Sequence, residues 1–163
     1  MGRQEIDVTV TTPADPATVY ALLRDGAGWP DWSPIGSFEL ERPAADEPEG
    51  VGAVRIFRTP RPLGRSTSRE QIVELIPDRR LSYVLISGLP VRDYRADVDL
   101  TPTDDGGTSI RWHSTFRGQT PGVGPLMQRV LGRFIDQTAH GLATRAAERA
   151  TPPRPANDEP SQR

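Results

Sequence analysis

The sequence predicts an α+β domain: a curved seven-stranded antiparallel sheet wrapped around one long C-terminal helix, with two short helices between strands 1 and 2. Three observations carry this. From Pro121 to Ala150, residues Val123, Leu126, Met127, Val130, Leu131, Phe134, Ile135, Thr138 and Leu142 recur at helical spacing as one apolar stripe, with Arg129, Arg133, Asp136, Gln137 and His140 opposite. The preceding chain breaks into strand-like runs separated by Pro, Gly and Asp turns at roughly 10-residue spacing, as in an antiparallel meander. A helix with one apolar stripe must lie on something, and the strands supply the surface.

Each element has its own signal. Ile6, Val8 and Val10 alternate with Asp7, Thr9 and Thr11, the period of a half-buried strand. Asp15 then offers an N-cap and Pro16 a first helical residue, and Val19, Leu22 and Leu23 give that short helix an apolar face. Asp25-Gly26 ends it, and the aromatic stretch from Gly28 to Pro34 supplies one more turn. Strands follow over Ile35 to Arg42, Val51 to Thr59, Arg65 to Ile76, Leu81 to Ser87, Val91 to Thr101 and Thr108 to Arg117, with Asp104-Asp105-Gly106-Gly107 as the last hairpin turn. A curved sheet with a helix across its concave face is a helix-grip fold, and the gap between the two layers is a natural ligand cavity. Residues 1–150 form one domain. Thr151 to Arg163, with four prolines and almost no apolar side chain, is expected to be disordered.

Composition excludes several classes. A net charge of −2 gives no case for nucleic acid, and the 20 basic residues, all Arg, are spread along the chain without forming a patch. The absence of Cys excludes disulfides and thiolate chemistry. No apolar run reaches the ~20 residues of a membrane span, and none resembles a signal peptide, so a cytoplasmic protein without integral membrane contact is expected. Oligomeric state is left open.

The chain resembles the SRPBCC superfamily: START lipid-transfer domains, pollen-allergen-like proteins and bacterial polyketide cyclase/dehydrase-like proteins. The residues that carry this are Val8-Thr9-Val10 leading into Ala14-Asp15-Pro16-Ala17-Thr18-Val19-Tyr20, then Asp31-Trp32-Ser33-Pro34, Gly50-Val51-Gly52, Leu81-Ser82-Tyr83, and Gly107-Thr108 before Ile110-Arg111-Trp112. The resemblance implies a cavity for a hydrophobic or amphipathic small molecule, such as a lipid, isoprenoid or polyketide-like compound, bound or carried without a cofactor. It also implies two other functions: an aromatase-type polyketide cyclase/dehydratase, or a protein-interaction module with an apolar patch on the sheet.

Strand alternation nominates the cavity wall. Ile110, Trp112, Ser114 and Phe116 share the helix-facing side of the seventh strand; Arg92, Tyr94, Ala96, Val98 and Leu100 share one side of the sixth; Leu81, Tyr83, Leu85 and Ser87 are the inward set of the fifth. The third strand permits either Arg55, Phe57 and Thr59 or Val54, Ile56 and Arg58, and similarity to the pollen-allergen branch favours the first. The fourth leaves Glu70/Ile72 and Gln71/Val73 open. The expected ligand-binding residues are Trp32, Phe57, Tyr83, Leu85, Tyr94, Trp112, Met127, Leu131 and Ile135. Tyr83, Tyr94 and Trp112 each carry a polar atom that needs a partner when buried. For most other inward apolar residues, ordinary core packing accounts for the position. Trp29 is expected to staple the first helix to the sheet, and Gly141 to mark a close approach of the long helix to the short ones, space for a ligand being the other reading.

Catalytic chemistry has few carriers. His113 falls on the outer sheet face and His140 on the polar helix face, so neither a metal site nor a Ser-His-Asp triad is expected. Gly50-Val51-Gly52 lacks the Lys and the following helix of a phosphate loop, and Asp97 and Asp99 read as surface charges. No catalytic residue is assigned outright. If Arg55 points inward, resemblance to the aromatase/cyclases implies that it polarises a ketide carbonyl, with Glu70 and Tyr83 nearby. An Arg55–Glu70 ion pair without catalysis is the simpler reading.

Overall fold

In a computed structural model, residues 2–62 and 64–150 are described; the tail expected to be disordered lies outside them. The elements run β1 (Gln4–Thr12), α1 (Pro16–Arg24), a 3-10 helix (Gly26–Asp31), β2 (Ser37–Arg42), β3 (Val54–Pro60), β4 (Arg65–Ile76), β5 (Arg80–Ser87), β6 (Val91–Pro102), β7 (Thr108–Gly118) and α2 (Val123–Ala150). The seven strands form one antiparallel sheet in the order β1-β7-β6-β5-β4-β3-β2. This is the helix-grip arrangement of the sequence reading. Asp15 caps α1 as predicted, accepting a 2.9 Å bond from the Thr18 amide, and Pro16 opens the helix.

Irregularities in the ladder explain where alternation misassigned faces. A register shift between Arg92 and Arg95 puts Asp93 at a φ of 54°. The extra residue turns Arg92 out to solvent, while Tyr94, Ala96, Val98 and Leu100 stay inward. A second shift beside Glu70 leaves Ile86 unpaired on β5, so Ser87 faces outward against Arg69 instead of joining Leu81, Tyr83 and Leu85. The same ladder fixes β4: Glu70 lies opposite Arg55 and Leu85, and Ile72 opposite Tyr83, so Glu70 and Ile72 face the helix side. In β3 all four residues Val54, Arg55, Ile56 and Phe57 are buried.

The apolar stripe of α2 is narrower than its sequence suggests. Met127, Leu131, Ile135, Thr138 and Leu142 are buried, whereas Leu126 and Val130 are 59% and 46% exposed. The helix packs mainly on β1, β7 and α1, and is held there by Thr12 Oγ1 donating to the Ala143 carbonyl at 2.8 Å and Gln128 Nε2 donating to the Glu5 carbonyl at 2.9 Å. Because α2 leans to that side, its first half stands off from β3, β4 and β5. The cavity is the space left.

Candidate ligand cavity

The cavity has a volume of about 540 Å³. Tyr83, Leu85 and Glu70 form its sheet wall with Tyr94, and Met127, Leu131 and Ile135 form the helix wall. Its mouth is made by exposed residues from two sides: Pro60 at the end of β3 with Arg61 and Pro62 of the following turn, and Val130, Arg133 and Gln137 from α2. Pro34, Leu89 and Phe134 complete the rim.

Six of the nine expected ligand-binding residues therefore meet in one place: Tyr83, Leu85, Tyr94, Met127, Leu131 and Ile135. The other three lie behind or beside the wall. Phe57 stacks on Trp29, ring centroids 4.8 Å apart, in the packing under the short helices. Trp112 stands behind Tyr83 and donates its indole N–H to the phenol oxygen at 3.2 Å. Trp32 packs on Trp29 and borders a separate open groove with Gly141 and Arg145. Sequence reasoning missed the mouth, because Arg133 and Gln137 sit on the polar face of α2 and alternation says nothing about a turn.

Each tyrosine has a hydrogen-bond partner within the protein. Tyr94 Oη and Ser114 Oγ are 3.1 Å apart, and Tyr83 accepts from Trp112. Burial raises both, Tyr94 to about 12, so both stay protonated near neutrality. Glu70 is different. Its Oε2 is sealed from solvent and has no hydrogen-bond partner among the described residues. Burial pushes its carboxyl up to about 7, against the opposing pull of the Arg55 charge and a Ser68 hydrogen bond.

Arg55 is fully buried but does not reach the cavity wall. Its Nη1 donates to the Leu23 carbonyl at 3.2 Å and lies 3.6 Å from Glu49 Oε1. Its guanidinium carbon is 5.0 Å from the ring centroids of both Trp29 and Phe57. Trp29 Nε1 donates to the same Leu23 carbonyl at 3.1 Å while its ring packs on Phe57 of β3 and Trp112 of β7, so Trp29 does tie α1 to the sheet. The carboxylate in contact with Arg55 is thus Glu49, while Glu70 faces it across the strand pair.

Glu70 should leave a mark on stability. Its folded value, about 7, lies above the ordinary 4.5. A carboxyl raised in this way gives its full stabilisation below the unfolded value and loses it as pH rises through the folded one. Relative to Glu70→Gln, the wild type is expected to lose about 1–3 kcal/mol between about pH 4.5 and pH 8, the half-buried position holding it under the full linkage value. Urea denaturation across that range measures it; parallel pH profiles for the two proteins would rule it out.

Elsewhere, Glu5, Asp7 and His113 offer ligand-type atoms within 4.8 Å of one another on the outer sheet face. Arg111 already grips Asp7 with two bonds of 2.7 and 3.0 Å, and His113 pairs with Glu5 at 2.8 Å. The expected surface role of Asp97 and Asp99 matches their partners: Arg95 and Ser82 for the first, Arg80 for the second. On the sheet, exposed Ile76 and Ile86 lie at opposite ends of the β4–β5 ladder rather than in a patch.

A cavity between a curved antiparallel sheet and a C-terminal helix places the chain among the helix-grip proteins. A family model described as "Polyketide cyclase / dehydrase and lipid transport" matches residues 3–147, and the chain belongs to that family. Among solved structures, a START superfamily protein from Mycobacterium smegmatis is similar at a TM-score of 0.76 and 16% identity, over 92% of this chain and 100% of that one. The Zhui aromatase/cyclase from Streptomyces sp. R1128 gives 0.75 and 17%, over 92% and 97%. A major latex-like protein from Panax ginseng gives 0.73 and 12%, over 88% and 97%. At these identities the likeness is one of fold. No curated protein matches the chain. Among the described residues, no helix is long and apolar enough to cross a membrane.

Proposed function

We infer that this protein binds a hydrophobic or amphipathic small molecule between the sheet and the first half of α2. The observation that carries the reading is the cavity of about 540 Å³, walled by Leu85, Met127, Leu131, Ile135 and the faces of two tyrosines. Its size and largely apolar lining suit a lipid, isoprenoid or polyketide-like compound. Met127 is unbranched and adapts its shape, which suits a wall that closes on ligands of varying outline. Native mass spectrometry of the full chain, alone and after incubation with farnesol, tests the reading. The expected result is one retained hydrophobic molecule per chain, lost in Leu131→Trp, where the larger side chain fills the cavity. Retention unchanged in that variant would place the ligand elsewhere, and no retention of any hydrophobe would sink the reading.

One observation favours a second reading, a cyclase or dehydratase. Glu70 is a carboxyl poised near neutrality on the cavity wall, as a general acid or base must be. In this reading Glu70 moves the proton, and Arg55 sets its charge from behind instead of touching a substrate carbonyl.

A further inference from the structure

We propose that the ligand of this cavity is an amphipathic anion, its hydrophobic body between sheet and helix and its carboxylate or phosphate head held at the mouth by Arg61 and Arg133. The inference rests on the reading of the cavity as a ligand site and names the ligand's polar group and its orientation. Three features of the mouth point to it.

First, charge is sorted by depth. The charged residues that line the cavity are Glu70 on the sheet wall and Arg61 and Arg133 at the mouth. Both arginines are exposed, so a head group arriving from solvent reaches them directly. An anion carried inward would leave water for an apolar wall and meet a carboxyl. Left at the mouth, it stays partly hydrated beside two cations. Second, these cations are not answered by the protein. On the strands, Arg58, Arg69, Arg80, Arg95 and Arg111 are each paired with a carboxylate. The Arg61 guanidinium has the Ser66 hydroxyl at 3.4 Å and no carboxylate among the described residues. Arg133 has neither a hydrogen bond nor an ion pair among them, and Asp136, three residues on, lies 3.5 Å from His140 instead. Third, the donors converge. Arg133 and Gln137 are four residues apart on α2 and share a face, so the Gln137 amide adds a neutral donor beside the guanidinium. Arg61 approaches from the other side of the mouth, and a guanidinium can meet an oxyanion with two parallel bonds.

The ligand is therefore read from both ends. Leu85, Met127, Leu131 and Ile135 take the body, and the two arginines take the head. An ammonium head would be repelled at the mouth, and a hydroxyl would gain hydrogen bonds there without the attraction between charges. Because the arginines are exposed, salt screens their part of the binding and leaves the apolar part. A carboxylic acid and a phosphate monoester share the chemistry this mouth recognises.

The test uses the full chain and displacement of the uncharged dye Nile red by four probes with one tail: decanoate, decyl phosphate, decanol and decylamine, at about pH 8, where both acids are ionised. The quantity read is the affinity of each anion relative to the alcohol. It is expected to fall about threefold in Arg61→Gln or Arg133→Gln and about tenfold in the double variant, while the alcohol itself binds as before. Raising salt from about 0.02 M to about 0.5 M should lower it in the wild type and leave the double variant nearly unchanged. The anion that loses more in the double variant identifies the head as carboxylate or phosphate. Arg129→Gln, at an exposed arginine of the same helix that does not line the cavity, should leave the ratio unchanged. If the ratio is the same in the double variant, or Arg129→Gln lowers it as much as Arg133→Gln does, the mouth does not hold the head and the assignment is wrong while ligand binding stands. If decylamine binds tightest to the wild type, the assignment is likewise overturned. If Nile red does not bind, or no probe displaces it, the ligand-binding reading itself falls.

Discussion

Arg55→Ala is expected to lose about 3–5 kcal/mol of stability, the usual cost of breaking a buried, hydrogen-bonded charge constellation by removing one member. Arg55 joins four parts of the structure. It donates to the Leu23 carbonyl at the end of α1, where the helix dipole favours a cation. It faces Glu49, whose Oε1 also accepts from the Gly26 amide at 3.0 Å and so fixes the β2–β3 loop to the 3-10 helix. It lies against the faces of Trp29 and Phe57. Across the ladder it opposes the charge of Glu70. Truncation to Ala leaves two carboxyls uncompensated and a void beside two aromatic rings. Arg55→Met restores the packing but not the charge, so it should recover only part of the loss. Adding Glu70→Gln to Arg55→Met removes the stranded carboxyl and should stabilise that background, although a single Arg55→Met is destabilising. Chemical denaturation of the wild type, Arg55→Met, Glu70→Gln and the double variant gives the coupling. An Arg55→Ala protein as stable as the wild type would refute this role.

The placement of Arg55 also shows what sequence can and cannot say here. The alternation of β7 was legible because Ile110, Trp112, Ser114 and Phe116 all face one core and all are buried. In β3 both alternating sets are buried, so periodicity carried no information about which way the guanidinium points. For β4 the answer came from pairing: Glu70 is fixed by its partners on β3 and β5, Arg55 and Leu85, which lie 15 residues away along the chain in each direction. Bulges were illegible for the same reason, since an unpaired Ile86 or a turned Asp93 follows from the register of two strands at once. The helix wall of the cavity could be read from the stripe of α2. Which edge of that stripe meets water could not, because it depends on how far the helix leans toward β1, and Leu126 and Val130 fall on the open side.

The two mid-helix glycines of α2 are expected to respond to alanine with opposite signs. A side-chain carbon at Gly132 would meet nothing within 4 Å. There, Gly132→Ala should gain about 0.5–1 kcal/mol from helix propensity and a less flexible unfolded chain. At Gly141 the same carbon would overlap the backbone carbonyl oxygen of Trp32, which no rotamer change can move aside. The helix and the segment after the 3-10 helix must then separate, against the packing of Trp32 on Trp29 and the bonds that Trp29 makes to Leu23 and Ser33. Overpacking of this kind costs about 1–3 kcal/mol, more than the propensity gained. Gly141→Ala should therefore lower the melting temperature while Gly132→Ala raises it, in the same helix and by the same chemical change. The displacement has a functional side, because Pro34 follows Trp32 by two residues and lies on the cavity rim. Binding of a hydrophobic probe should weaken in Gly141→Ala and stay unchanged in Gly132→Ala. If Gly141→Ala stabilises the protein as Gly132→Ala does, the glycine is not there for close approach, and the contact between α2 and the Trp32 carbonyl is not a constraint on the fold.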